Sequence, residues 1–151
     1  MSDRSVVHDT FTLQRTYDSP PARVFAAWAD PAVKARWFAG PGADHDLDFR
    51  VGGREVTRGS HDGIAMTFES EYREIVPDVR IVYSSTMSAD ETLWTVSLTT
   101  VELVAVDGGT RLTLTEHGAF LDGHEQPVWR EQGTGAWLDA LGPELADRVQ
   151  A

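Results

Sequence analysis

Four polar side chains fall where a strand pattern turns them inward, and inward polar groups are where chemistry is first sought. Arg15 continues the alternation of Phe11 and Leu13, Glu116 continues that of Leu112 and Leu114, and Ser70 and Tyr72 continue that of Met66 and Phe68. A buried arginine or glutamate is costly unless paired, so these residues either reach a wet rim or meet partners. In a cavity they would anchor a polar head group, with Tyr72 or Tyr83 donating a hydrogen bond, or they would move protons. The five histidines (His8, His45, His61, His117 and His124) show no metal-ligand spacing. His117 and Glu116 are neighbours on a strand, point to opposite faces and form no simple acid–base couple. Ser84-Ser85-Thr86 has no histidine at a nucleophile spacing, and Gly52-Gly53 reads as a turn, not as a phosphate cradle. These patterns assign no catalytic residue, no metal and no cofactor.

Large apolar side chains are the other resource. Phe49, Val56, Met66, Phe68, Tyr83, Trp94, Val96, Leu112 and Leu114 on strands, with Trp129 and Trp137 on a helix, are the expected lining of an apolar space. Indole N–H groups there would orient a bound molecule. The plainer alternative is that the same side chains simply fill the space. Trp28, Trp37 and Phe38 belong to short helices that would cap one of its mouths.

The elements that must position these residues are well punctuated. Phe11, Leu13 and Tyr17 alternate with threonines and Gln14, the period of a half-buried strand. Ser19 followed by Pro20 predicts a capped helix carrying Val24, Phe25 and Trp28, and Asp30-Pro31 predicts a second one ending near Trp37-Phe38. From Asp46 the period becomes two, with Leu47, Phe49 and Val51 in one phase, and Gly52-Gly53, Asp62-Gly63, Pro77-Asp78 and Asp107-Gly108-Gly109 mark successive turns. The apolar phase Trp94, Val96, Leu98 switches near Thr100 to Val101 and Leu103, which predicts a bulge or a change of face. The stripe Trp129, Gly133, Trp137, Leu141, Leu145 predicts one long helix over about residues 124–148, bent near Gly142-Pro143. Residues 1–6 are expected to fray, leaving a single domain over residues 7–149.

Composition narrows the classes. The 151-residue chain has 41% hydrophobic and 25% charged residues and no cysteine, which removes disulfide and thiolate chemistry. Its net charge of −11 disfavours a phosphate backbone, so nucleic acid is not an expected partner. No apolar run approaches a membrane span, the start Met-Ser-Asp-Arg lacks a signal-peptide core, and a cytoplasmic address is expected. The acidic surplus is read as a solvated surface, and Lys34, the sole lysine, is given no role.

Arg15-x-Tyr17-x-x-Pro20, Val24-x-x-Ala27-Trp28, Asp30-Pro31, Trp37-Phe38 and Gly52-Gly53 together resemble the START-like (SRPBCC) superfamily. They are most similar to the branch of the activator of heat-shock-protein-ninety ATPase homologues, in its stand-alone bacterial form. Tyr72-x-x-Ile75-x-Pro77, Thr110-Arg111-Leu112 and Leu138-Asp139-x-Leu141 extend the similarity over nearly the whole chain. The resemblance and the element order imply an α+β helix-grip fold. In it a curved antiparallel sheet of about seven strands wraps a long C-terminal helix, and two short helices follow the first strand. The superfamily holds lipid carriers, receptors, cyclases, oxygenase domains and co-chaperone domains, so function must come from a site. Three readings stand at this point: a non-enzymatic binder of a small hydrophobic molecule, a stress-related or co-chaperone-like interaction module, and a cyclase or aromatase-type enzyme. Exposed sheet edges make a homodimer an expectation as well.

Overall fold

The computed structural model describes residues 4–40 and 42–149; the start of the expected frayed segment, residues 1–3, lies outside them. Strand β1 (Val6–Tyr17) leads into helices α1 (Pro21–Ala29) and α2 (Pro31–Lys34) and a π-helical turn (Ala35–Ala39). Strands β2 (Asp44–Leu47), β3 (Arg54–His61), β4 (Ile64–Val76), β5 (Arg80–Ala89), β6 (Thr92–Val106) and β7 (Gly109–Leu121) follow, and helix α3 (Pro127–Val149) closes the chain. The seven strands form one antiparallel sheet in the order β1-β7-β6-β5-β4-β3-β2. Since β1 and β2 are the two edges, the short helices carry the chain from one side of the sheet to the other. This is the helix-grip arrangement.

Local chemistry explains most of the boundaries. The Asp30 side chain accepts hydrogen bonds from the amides of Ala32 and Val33 (2.9 and 3.3 Å), capping α2 as expected. Ser19 does not cap α1: the N-cap is Pro20 with no side-chain bond, and the Ser19 carbonyl instead accepts from Thr110 Oγ1 at 2.6 Å. At the β3–β4 hairpin Asp62 and Gly63 both adopt positive φ (52° and 78°), the twist a two-residue hairpin loop needs. Gly53 is required for a different reason: a Cβ there would stand 2.1 Å from the Asp48 carbonyl oxygen.

The core joins Val24 and Trp28 of α1 to Tyr72, Ile81, Val101, Leu112 and Leu114 of the sheet and Leu138, Leu141 and Leu145 of α3. Tyr17 donates its hydroxyl to the Leu138 carbonyl (2.7 Å), tying β1 to α3. Helix α3 runs unbroken with Pro143 inside it.

Three expectations need correction. On β6 the buried phase is Thr95, Ser97, Thr99, Val101 and Leu103, while Val96 and Leu98 are both 43% exposed on the outer face. There is no bulge at Thr100: the apolar residues change face there, from Val96 and Leu98 outside to Val101 and Leu103 inside, and the register shift lies opposite Met87/Ser88, where Trp94 is the extra residue. On α3 Leu141 and Leu145 are buried as expected, with Leu138 beside them, but in the N-terminal half Arg130 and Thr134 are the buried residues and Trp129 is 58% exposed. Strand β2 ends at Leu47, and Val51 is exposed. On β6 and α3 the reading put apolar residues inward, whereas Thr95, Thr99 and Arg130 take inward positions to complete a cluster described next.

Candidate functional site

A hollow of about 210 Å³ opens between the π-helical turn, the inner face of the sheet and α3. The turn supplies Phe38 and Ala39, β3 supplies Thr57 and Gly59, β4 supplies Met66 and Phe68, β5 supplies Met87 and α3 supplies Trp137. Antiparallel register explains the grouping, since Gly59 faces Met66, Thr57 faces Phe68, and Phe68 faces Met87. The Phe38 and Trp137 rings lie 4.3 Å apart between centroids, and Phe68 stands 6.1 Å from Trp137 and 6.3 Å from Phe38. A Cβ on Gly59 would meet nothing within 4 Å, so this strand position is left open by the lack of a side chain. The Thr57 hydroxyl is buried and has no hydrogen-bond partner. A shallow hollow of about 540 Å³ lies on the outer face beside Val96, Leu98 and His117, and one of about 400 Å³ lies between Tyr17 and Leu145; neither is walled by Phe38, Phe68 or Trp137.

Two ionic clusters stand behind this aromatic wall. In the first, the fully buried Lys34 ammonium donates to Glu55 Oε1 (2.7 Å) and Tyr72 Oη (3.2 Å). Tyr72 also donates to Glu55 Oε1 (2.6 Å), and His45 Nε2 lies 2.7 Å from Glu55 Oε2. The ammonium lies 4.5 Å from the centroid of Phe38 and 4.9 Å from that of Trp28. Burial works against both charges. It pushes Lys34 down despite Glu55, and it would raise Glu55 but for Lys34, His45 and Tyr72, which together hold that carboxyl at about 2.

In the second cluster Arg130 donates to Glu116 Oε2 (2.9 Å), Thr95 Oγ1 (2.7 Å) and Glu125 Oε1 (3.0 Å), and Thr99 donates to Glu116 Oε1 (3.0 Å). Its guanidinium lies 5.5 Å from the Phe68 ring centroid. Burial opposes the Arg130 charge, but Glu116 and Glu125 raise its pKa. Burial likewise keeps Tyr72 and Tyr83 as phenols.

Of the residues singled out in the sequence, Met66, Phe68 and Trp137 line the hollow. Phe49 lies elsewhere, against Phe25 and Tyr72 (5.6 and 4.9 Å). Tyr83, Leu112 and Leu114 belong to the closed core. Val56 sits in the phase opposite the buried Glu55. Trp94 stacks on His124 at 5.3 Å, and Val96 and Trp129 are exposed. All four polar candidates have partners: Arg15 pairs with Asp139 (2.7 Å), Ser70 with Ser85 (2.7 Å), Tyr72 with Glu55 and Glu116 with Arg130. None of the four lines the hollow, and the hollow's own lining has no acid or base to move a proton. Among the described residues no cluster of His, Asp or Glu could hold a metal ion.

Sequence reasoning placed Phe38 at a mouth of the space and missed Thr57, Gly59 and Met87. It also missed the clusters of Lys34, His45 and Glu55 and of Arg130. The isolation of Lys34 among twelve arginines was the one available signal.

A curved seven-stranded sheet gripping a C-terminal helix around a partly open interior defines a START-like domain. The model described as Activator of Hsp90 ATPase homolog 1-like protein matches residues 18–146, and the chain belongs to that family. Among solved structures, a protein of Rhizobium leguminosarum is 41% identical, with a TM-score of 0.91 over 95% of this chain and 98% of its own. The Mll3558 protein of Rhizobium loti is 48% identical, with a TM-score of 0.87 over 93% and 99%. Protein CV1439 of Chromobacterium violaceum is 27% identical, with a TM-score of 0.73 over 90% and 96%. No curated protein sequence matches the chain.

Proposed function

We propose that the chain binds a small hydrophobic molecule in the hollow between the π-helical turn, the inner face of the sheet and Trp137. One observation carries this reading: about 210 Å³ walled by Phe38, Phe68, Trp137 and two methionines is left unfilled, far above the ~15 Å³ that admits a single water. Apolar walls hold water poorly, so replacing it with an apolar surface is favourable at about 25 cal/mol per Å² buried. The role needs no catalytic group, and the ionic clusters around the hollow serve it as rigid supports.

Native mass spectrometry of gently purified protein tests it, with Gly59→Ile as the comparison. Isoleucine suits a strand and would occupy the open space at that position. The wild type is expected to carry a non-covalent adduct of low mass that the variant lacks. A bare mass for both proteins, or the same adduct on both, contradicts the proposal.

A further inference from the structure

The walls of the hollow also specify the charge and shape of what enters. No charged side chain lines it, so an anion would be buried with no cation to pair it, which is strongly unfavourable. An aromatic box without charges ordinarily attracts cations to its ring faces, but here two of the three rings already serve cations of the protein. Lys34 Nζ lies 4.5 Å from the Phe38 centroid and the Arg130 guanidinium 5.5 Å from that of Phe68. Both cations are paired with carboxylates, but with the ring faces already engaged a cationic ligand would gain little from them and would lose its hydration. Neutral molecules remain.

Size and wall chemistry narrow the class further. An apolar cavity of about 150 Å³ holds one benzene ring, so a hollow of about 210 Å³ admits one or two fused rings. Three tilted aromatic rings and the thioethers of Met66 and Met87 suit a planar aromatic guest, since sulfur and ring edges both favour such contact. The one polar side chain in the wall is Thr57, whose hydroxyl is covered and partnerless while the residue itself is half-buried. A rotation about its χ1 exchanges methyl for hydroxyl at the wall, and a ligand oxygen there would satisfy a group that the unliganded fold leaves unsatisfied.

We infer that the ligand is a neutral aromatic compound of one or two rings carrying a hydroxyl or carbonyl that pairs with Thr57. This rests on the binding role proposed above and adds the ligand's chemical class and the residue that selects it. Titration calorimetry at pH 7 with naphthalene, 2-naphthol, 2-naphthoate and protonated 2-naphthylmethylamine, on wild type and Thr57→Val, tests both layers separately. Valine matches the shape of threonine and removes only a hydroxyl without a partner, so the fold is expected to persist.

The expected result is that 2-naphthol binds about five- to tenfold more tightly than naphthalene. Both ions should bind at least tenfold more weakly than 2-naphthol. In Thr57→Val the advantage of 2-naphthol should vanish while naphthalene affinity is retained, a change that a purely structural role for Thr57 would not produce. Equal affinities for naphthalene and 2-naphthol in the wild type, or an advantage that survives in Thr57→Val, overturn the inference and leave the binding role standing. Tight binding of either ion overturns the charge argument, and binding of none of the four compounds overturns the binding role itself.

Discussion

Lys34 and Glu55 show how much one pair of side chains can hold together. The ammonium comes from α2 and the carboxylate from β3, and Tyr72 of β4 and His45 of β2 share the same carboxylate. Four elements thus converge on a group that is 3% exposed. Breaking a buried pair by removing one partner typically costs about 3–5 kcal/mol, while replacing both partners by apolar groups costs much less. Glu55→Gln is therefore expected to lower the denaturation midpoint strongly, and Lys34→Met/Glu55→Gln to lower it less than the single change. The sign of the pH effect follows from Glu55, whose carboxyl sits at about 2 in the fold against an ordinary 4.5. The folded state thus binds this proton less readily than the unfolded chain. The contribution is complete above about pH 4.5 and is lost as pH falls toward 2. Urea midpoints measured from pH 7 down to pH 2.5 should fall steeply below pH 4.5 in the wild type and less so in Glu55→Gln. Matching slopes would show that Glu55 does not carry the acid sensitivity. Neither partner was legible as such: Lys34 was given no role, and Arg54-Glu55 gives β3 a charge in both phases.

At the scale of elements, the site depends on a π-helical turn that the sequence indicates only as the end of a short helix. Asp30-Pro31 marks its start clearly, because the cap and the missing proline N–H follow from local chemistry alone. The switch to π geometry at Ala35–Ala39 puts Trp37 and Phe38 both inward, 4% and 7% exposed, where Trp37 Nε1 donates to the Ala27 carbonyl (3.0 Å) and Phe38 meets Trp137, distant in sequence, at 4.3 Å. Removing the cap tests how much the turn relies on it. Asp30→Ala is expected to cost about 1 kcal/mol, a melting temperature lower by about 2–4 °C for a chain this size. A scanning calorimetry trace unchanged from wild type would contradict the capping role. Strand β6 shows the opposite limit of legibility. Trp94, Val96 and Leu98 alternate convincingly, yet Thr95 and Thr99 are the inward residues, because Arg130 and Glu116, far along the chain, require hydroxyl partners there. Alternation records which residues share a face, and it cannot record which face a later helix will cover with a charge.

Across the whole molecule, order and spacing of elements were readable because turns, caps and periods are local signals, and together they specify the sheet and its gripping helix. The hollow was readable only in outline. Trp137 and Phe68 stood out as large aromatics in plausible phases, but the open space owes as much to Gly59, a residue identified by what it lacks. Binding in that space is the central claim, and the chain offers a direct reporter of it. Of its three methionines, Met66 and Met87 stand on the neighbouring strands β4 and β5 in the hollow's wall. Carbon-13 methyl-methionine NMR during titration with 2-naphthol therefore reads the site itself. The account predicts that the Met66 and Met87 methyl signals, assigned by substitution, both shift and saturate together, and that neither moves in Gly59→Ile. Unmoved Met66 and Met87 signals at ligand concentrations that saturate the protein would contradict it.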